Sequence, residues 1–359
     1  MPQRPVLAVA DCVVIGAGVS GLACAGALAA AGRAVVVLER ARGVGGRCAT
    51  RRLPGPPVQP VDFGVAFLHG RGERFRSLLR EVPAASLPGW PRRVSGEGTP
   101  CHPAAFEPGD TRLAFAEGVS ALPRHLARGL DVRLGAKVLG LEPAGDRVRV
   151  VVEDGASVES AVAVVATAPE EASALLATAP AEAPVRSAVA VLALTPSERC
   201  LTLLARYGPG APAPEWDVCY PEGSRVIQLV SHDSAKRLAG REPGAPTLVI
   251  QAHPGWSRRN EDAPGWPAGL LAEAARLLGD WAARPELVQA HAWRHARTPR
   301  AGELAAPMLL TLAGGARLGL CGDRFGPGGG VEAAVVSGWK LAERILSEAG
   351  RPTSSTKER

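Results

Sequence analysis

The chain has 359 residues, 46% of them hydrophobic, enough to bury the core of one large domain or of two smaller ones. Its net charge is +6, but Lys137, Lys236, Lys340 and Lys357 are its only lysines, and no basic block with interleaved aromatics is present, which argues against nucleic acid as a partner. The seven cysteines (12, 24, 48, 101, 200, 219 and 321) are odd in number and form no CxxC pair, which argues against a disulfide framework or a metal site and fits a cytoplasmic chain with no membrane span.

Residues 1–10 show no positively charged region followed by a cleavage site, and the apolar run is needed as the first strand and helix of a nucleotide-binding fold. Asp11–Ile15 is an apolar strand that runs into Gly16-Ala17-Gly18-Val19-Ser20-Gly21 and a helix expected over 19–31. This is the pattern of a dinucleotide-binding turn. Gly16 permits the tight turn, Gly18 lets a pyrophosphate approach the backbone, and Gly21 lets the helix pack on its strand, while the helix N-terminus offers unpaired N–H groups to phosphate. A second strand over 34–38 follows, and Glu39 closes it where an acid holds ribose hydroxyls.

Arg40 to Arg47 places Gly45, Gly46 and Arg47 just beyond that strand, either as a basic surface loop or as a second phosphate-handling loop. With Glu39, Gly45-Gly46-Arg47 resembles the FAD-binding pattern of the amine oxidase superfamily. FAD rather than NAD is therefore the expected resident cofactor. It is expected to be non-covalent, with Cys48 a buried, inert thiol rather than a tether.

Residues 53–60 and 83–110 are rich in Pro, Gly and Ser and bracket a helix-like segment around 75–80. A turn and helix are expected over 116–127, strands over 131–134, 137–142 and 147–153, and a buried strand over 160–166. From about 185 to 300 the pattern becomes that of a second, mixed-sheet domain, with strands over 185–194, 225–231 and 247–253 and a helix over 267–283. The chain returns through a strand at 316–320 to Gly322-Asp323 and a glycine-rich turn into a helix over 331–349, then ends in a polar tail expected to be disordered. A carboxylate at Asp323 suits ribityl hydroxyls, and the N-terminus of the last helix suits the negative charge of reduced flavin. The expected fold is α/β. A Rossmann-like FAD-binding domain (1–75, 111–180 and 300–350) is paired with a mixed β-sheet substrate domain (76–110 and 181–299), leaving 351–359 as the tail.

Gly16–Gly21, Gly45-Gly46-Arg47 with Thr50, Asp62-Phe63-Gly64, Gly118 to Leu122, Ser231-His232-Asp233 with Lys236-Arg237, Trp293-Arg294-His295 and Gly322-Asp323 together resemble the FAD-dependent renalase family. That family is a branch of the amine oxidase superfamily with the p-hydroxybenzoate hydroxylase-like fold. The resemblance implies that Ser20, Glu39, Arg40, Gly46 and Arg47 serve the adenosine and pyrophosphate and that Val138 contacts adenine. It also implies that Gly64 to Phe67 pass the isoalloxazine, while Asp323, Gly330 and Val331 hold the ribityl and pyrimidine ends. Where the family often has a Gln-Tyr pair, this chain has Ala66-Phe67.

The implied reaction oxidises 2- or 6-dihydro isomers of NAD(P), with dioxygen giving hydrogen peroxide. Such a substrate is already a hydride donor, so a slot that stacks on its ring supplies most of what is needed. Trp293, His295, Trp256 and Phe67 are the candidates to line that slot, the tryptophans and His295 reading equally as structural residues. The rival activity is oxidation of a small amine, for which Lys236 is the one lysine plausibly near the flavin. The non-enzymatic rival is a flavin redox module. The partners expected are thus a small dinucleotide or amine and dioxygen, with the chain a monomer or homodimer.

Overall fold

A computed structural model describes residues 6–55, 58–96, 110–237 and 245–349. Cys101, Lys357 and the polar tail lie outside the described residues. The chain forms two compact units, one of residues 1–46, 126–196 and 300–359, the other of residues 47–125 and 197–299.

The first unit is a Rossmann-like α/β layer. Val6–Ile15 pairs in parallel with Val35–Glu39 on one side and with Ser157–Val165 on the other. Asp131–Leu134 and Arg317–Leu320 extend the parallel sheet outward on the two sides. An antiparallel hairpin, Val138–Ala144 with Arg147–Val152, and an edge strand, Met308–Thr311, complete it. The central strands are apolar on both faces because both faces are covered. Val14, Val37 and Val164 pack with Leu22 and Leu28 of the helix Val19–Ala30 and with Leu341 and Ile345 of the last helix, Gly330–Ala349. Val13, Leu38 and Val165 face the opposite way, against Leu176, Val185 and Leu192.

Two of those last residues correct an expectation. The apolar run over 185–194 is not a strand but the helix Ala183–Ala193, opened by a proline in its first turn. Val185, Ala188 and Leu192 fall at helical spacing toward the sheet, and an apolar run this short hides that period.

In the second unit a six-stranded sheet runs in the order Leu287–Arg297, Glu198–Arg206, Thr247–Ala252, Ile227–His232, Val218–Cys219, Val94–Ser95. All neighbours are antiparallel except the last pair. One face, with Leu201, Leu203 and Ile250, is covered by the helices Pro254–Asn260 and Trp266–Leu278. The other, with Leu204 and Val249, meets Leu53, Val61 and Phe63. The helix expected to run to Ala283 breaks at Gly279, whose φ is 105°, and continues as a 3-10 turn over Asp280–Ala283. Residues 47–75 and 111–125, expected with the nucleotide domain, make their contacts in this second unit. There they form two small sheets, Thr50–Leu53 with Gln59–Asp62 and Leu68–Gly70 with Thr111–Phe115 and Ser86–Pro88.

Candidate functional site

The glycine turn of the first unit is built as a cradle. Gly16 has φ 105°, donates its N–H to Leu38 at 2.8 Å, and sits so close to the Ala166 carbonyl that a Cβ would come within 2.8 Å of it. A Cβ on Gly21 would overlap the Gly16 carbonyl oxygen and press on Val14, so the helix start lies directly against the strand end. At Gly18 a Cβ would meet no protein atom within 4 Å. No side chain caps the first-turn amides of this helix, which leaves them available to a phosphate group. Ser20 is buried in the same turn.

The loop after the second strand lies beside this turn, as Gly45 donates to the Ala17 carbonyl at 2.8 Å and bridges to Gly18. Glu39 is buried, one carboxylate oxygen accepting from the Ala17 amide and the other from the Ala41 amide, each at 2.8 Å. A carboxylate has about four acceptor sites, so capacity remains for ribose hydroxyls. The residues present therefore fit an FAD nucleotide. Glu39→Ala is expected to weaken FAD binding by about 1–3 kcal/mol and to lower the melting temperature of the apoprotein, because two backbone amides lose their acceptor. Equilibrium FAD titration followed by fluorescence measures the first effect and a thermal melt the second, with Glu39→Gln as the milder control.

The other candidates of this unit are spread along it. Arg40 is exposed and paired to Glu171 at 2.7 Å. Val138 is half-buried at the start of its hairpin strand. Asp323 is buried just beyond Arg317–Leu320, in a turn pinned by Ser337, whose hydroxyl oxygen accepts from the Gly322 amide at 3.0 Å. Gly330, with φ 72°, and Val331 open the last helix. Beside Asp323, Arg324 is fully buried and donates to the carbonyls of Leu192 and Thr195, which ties this turn to the end of the helix Ala183–Ala193.

In the second unit, alternation along Leu287–Arg297 puts His291, Trp293 and His295 on one face of the edge strand and Ala292 and Arg294 on the other. Trp293 stacks on Phe63 at 4.9 Å between ring centroids and meets the edge of His291 at 4.3 Å. The Arg51 guanidinium lies 4.4 Å from the centre of the Phe63 ring and 3.4 Å from His291 Nδ1. Arg47 reaches the Ala296 carbonyl at 3.3 Å. Gly64 follows Phe63 so closely that a Cβ there would lie 3.0 Å from the Trp293 ring. Phe67 is half-buried, its ring edge toward Trp90 at 5.9 Å.

Trp256 does not join this group. It lies on the helix Pro254–Asn260, packed with Leu270 and Ala274 on the opposite face of the sheet, so its ring belongs to the helix-covered core. Arg51, Phe63 and His291 become neighbours only because the hairpin of Thr50–Leu53 and Gln59–Asp62 packs against a face of the six-stranded sheet. The sole signal for Phe63 is its place in Asp62-Phe63-Gly64.

Burial, followed by the charge of Arg51, pushes the His291 imidazole down to about 4 from its ordinary 6.5. Between those values the unfolded chain takes up a proton that the folded protein refuses, so acidification through this window favours unfolding. The melting temperature is expected to fall as the pH drops from 6.5 toward 4, and His291→Gln should flatten that fall.

The most heavily buried charges form one cluster. Lys236 donates to Asp62 at 2.7 Å, to Asp233 at 2.6 Å and to the Ala66 carbonyl at 2.9 Å, which uses all three of its N–H bonds. Arg237 pairs with Asp233 at 2.6 Å and Asp62 at 3.3 Å and donates to the Phe115 and Ala116 carbonyls. Thr50 Oγ1 and the Val119 amide also donate to Asp62. Burial alone would raise the Asp62 carboxyl, but Lys236 and Arg237 outweigh it and hold it below the usual carboxylate range. The four charges balance. Lys236, the one lysine that the rival amine-oxidase reading leaves plausible near a flavin, is a saturated structural cation beneath the Trp90 ring, 4.9 Å from its centre.

Comparison with known proteins supplies the remaining constraint. Residues 14–82 match the model of an NAD(P)-binding Rossmann-like domain. Cyclohexylamine oxidase from Brevibacterium oxydans IH-35A is similar in structure with a TM-score of 0.72 at 16% identity, over 95% of this chain and 100% of that one. Wild-type putrescine oxidase bound to putrescine is similar with a TM-score of 0.67 at 17% identity, over 96% of this chain and 100% of that one. At such identities these likenesses speak for the fold. Residues 99–346, most of the chain, match the model of the flavin containing amine oxidoreductases. The chain belongs to that family and is an FAD-dependent oxidoreductase.

Proposed function

We propose that this flavoprotein is an oxidase of the renalase type, taking hydride from a 2- or 6-dihydro isomer of NAD(P) and passing the electrons to dioxygen as hydrogen peroxide. The observation that carries this reading is the character of the face around Trp293. It holds Gln289, His291, Trp293 and His295 and no carboxylate, and Arg51, whose guanidinium lies over Phe63, has no acidic partner among the described residues. A protonated amine meets repulsion there, whereas an anionic dinucleotide with a planar ring finds aromatic surface and positive charge.

Bound FAD supplies the two-electron acceptor, and we assign its non-covalent binding to Gly16, Gly18, Ser20, Gly21, Glu39, Gly46, Arg47, Asp323, Gly330 and Val331. The chain's own contribution is to orient. Trp293 and Phe63 present flat surface for a pyridine ring, and the neutral His291 adds a polar edge without adding charge. No general base is required, since a dihydropyridine releases hydride without prior loss of a proton.

Amine oxidation is the second reading, favoured by family membership and by neighbours named for cyclohexylamine and putrescine. Against it, Lys236 is saturated and both tyrosines are buried, Tyr207 donating its hydroxyl to the Ala282 carbonyl at 2.9 Å and Tyr220 packing among Trp90 and Leu229. Peroxide release should be assayed with 2- and 6-dihydronicotinamide dinucleotides, NADH, putrescine and cyclohexylamine. Turnover of a dihydronicotinamide isomer with no turnover of either amine supports the proposal, and the reverse pattern overturns it.

A further inference from the structure

One cation of the second unit stands outside its charge balance. Lys236 and Arg237 are neutralised by Asp62 and Asp233, whereas Arg51 meets no carboxylate among the described residues. Its position sharpens the contrast. Alternation along Thr50–Leu53 sets Arg51 on the same side as Leu53, which packs with Val61, Phe63 and Val249, so a guanidinium stands where the pattern calls for an apolar side chain. Arg51 is half-buried there.

What faces it is aromatic or neutral. Nη1 donates to Gln289 Oε1 at 3.5 Å, Nη2 lies 3.4 Å from His291 Nδ1, and the head group lies over the Phe63 ring at 4.4 Å. Both polar contacts are longer than an ordinary N–H···O bond, and neither partner carries charge at neutral pH. Burial accordingly pulls the guanidinium down from its ordinary pKa with no acid to oppose it. Withdrawing a cation from water without a counter-charge costs free energy, and a planar fork of donors kept in that condition suits an anion that the chain does not supply. Phosphate is the anion that such a fork holds bidentately.

We infer that Arg51, with Gln289 and His291 beside it, forms the subsite that holds a phosphate group of the nucleotide substrate. This rests on the proposed reading of the Trp293 face as the place of an anionic dinucleotide, and it uses residues of the second unit only.

Such a subsite is coupled to a proton. The His291 ring faces Arg51 and Phe63 and is flanked by Gln289 and Trp293 on its own strand, with Thr202 as its register partner on Glu198–Arg206. Arg51 is the one charge among these groups. An anion that neutralises it removes the repulsion that, after burial, holds the imidazole down. Binding then takes up a proton and tightens as the pH falls from 6.5 toward 4.

The test titrates FAD-loaded protein, carrying isotope-labelled histidine, with NAD+, nicotinamide riboside and inorganic pyrophosphate. Arg51→Met should bind NAD+ about ten- to hundredfold more weakly, the equivalent of one lost hydrogen bond to a charged group, and should lose pyrophosphate binding. Nicotinamide riboside, which has the ring without a phosphate, should bind parent and variant alike. Arg51→Lys keeps the charge without the fork and should fall between them for NAD+. By NMR, with His291→Gln to assign the signal, saturation with NAD+ should move the His291 pKa of the parent up from about 4 toward its ordinary value. In Arg51→Met that pKa should start higher and not respond.

Parent-like NAD+ affinity in folded Arg51→Met, or a parent His291 pKa that NAD+ leaves in place, overturns the inference. Loss of FAD from Arg51→Met overturns it too, because the anion on Arg51 is then the cofactor's own. Should Arg51→Met fail to fold, the His291 response of the parent decides alone. Failure of the proposed reaction shows differently, as a parent protein that binds NAD+ through Arg51 yet releases no peroxide with dihydronicotinamides.

Discussion

Lys236→Met should destabilise the protein by about 3–5 kcal/mol, enough to abolish most soluble expression, because it leaves two fully buried carboxylates sharing a single arginine. The lysine is not one ion pair among many. It is in contact with both Asp62 and Asp233, no water-exposed surface is left on it, and its third proton holds the Ala66 carbonyl. The loss is therefore the cost of an uncompensated buried charge rather than the modest net value of a salt bridge. Lys236→Met with Asp233→Asn restores the charge balance and should regain part of the stability in urea unfolding. A lysine serving at the flavin instead would give a variant of parent stability with slow flavin reduction or reoxidation, and that outcome would contradict the structural role.

Gly21→Ala should give a protein that purifies without flavin and is less stable by about 1–3 kcal/mol. The added Cβ lands on the Gly16 carbonyl oxygen, a backbone atom that no change of rotamer can move, with Val14 and Ala166 closing the other sides. Separating the helix from the strand tilts the first-turn amides that are to receive the pyrophosphate. Gly26→Ala is the matched control. It lies in the same helix, where a Cβ would meet nothing within 4 Å, so it should keep its flavin and gain about 0.5–1 kcal/mol from lost backbone freedom in the unfolded chain. Flavin content at 450 nm and melting temperature of both variants decide between a packing effect at Gly21 and a general intolerance of the helix to substitution.

The contrast between those two sites explains what was legible in the sequence. The nucleotide cradle is local. Gly16 to Gly21, Glu39 and Gly45 lie within about thirty residues of one another, and the glycine spacing and apolar period announce each element. The charge cluster is not local, since Asp62 meets Asp233 and Lys236 only because the strand ending at Asp62 packs beside the turn that follows Ile227–His232. Ser231 to Arg237 is visible as a motif without its partner, and Lys236 then reads as free.

The same limit applies to Trp256 and Trp293. Both are tryptophans near the expected slot, but which face of the sheet each occupies depends on register and on the helix Pro254–Asn260, neither of which residue type reveals. The run over 185–194 failed for a simpler reason, as a stretch with eight apolar residues in ten satisfies both periods until the packing chooses one.

The most direct test of the proposed reaction is anaerobic stopped-flow reduction of the FAD-loaded protein by a 6-dihydronicotinamide dinucleotide, followed at 450 nm, with hydrogen and then deuterium at the donor carbon. Hydride transfer from the dihydropyridine ring predicts rapid bleaching that slows severalfold with deuterium and yields the ordinary oxidised dinucleotide. A flavin that stays oxidised with the 2- and 6-dihydro isomers alike, yet bleaches with putrescine or cyclohexylamine, would contradict the account and make this chain an oxidase of amines.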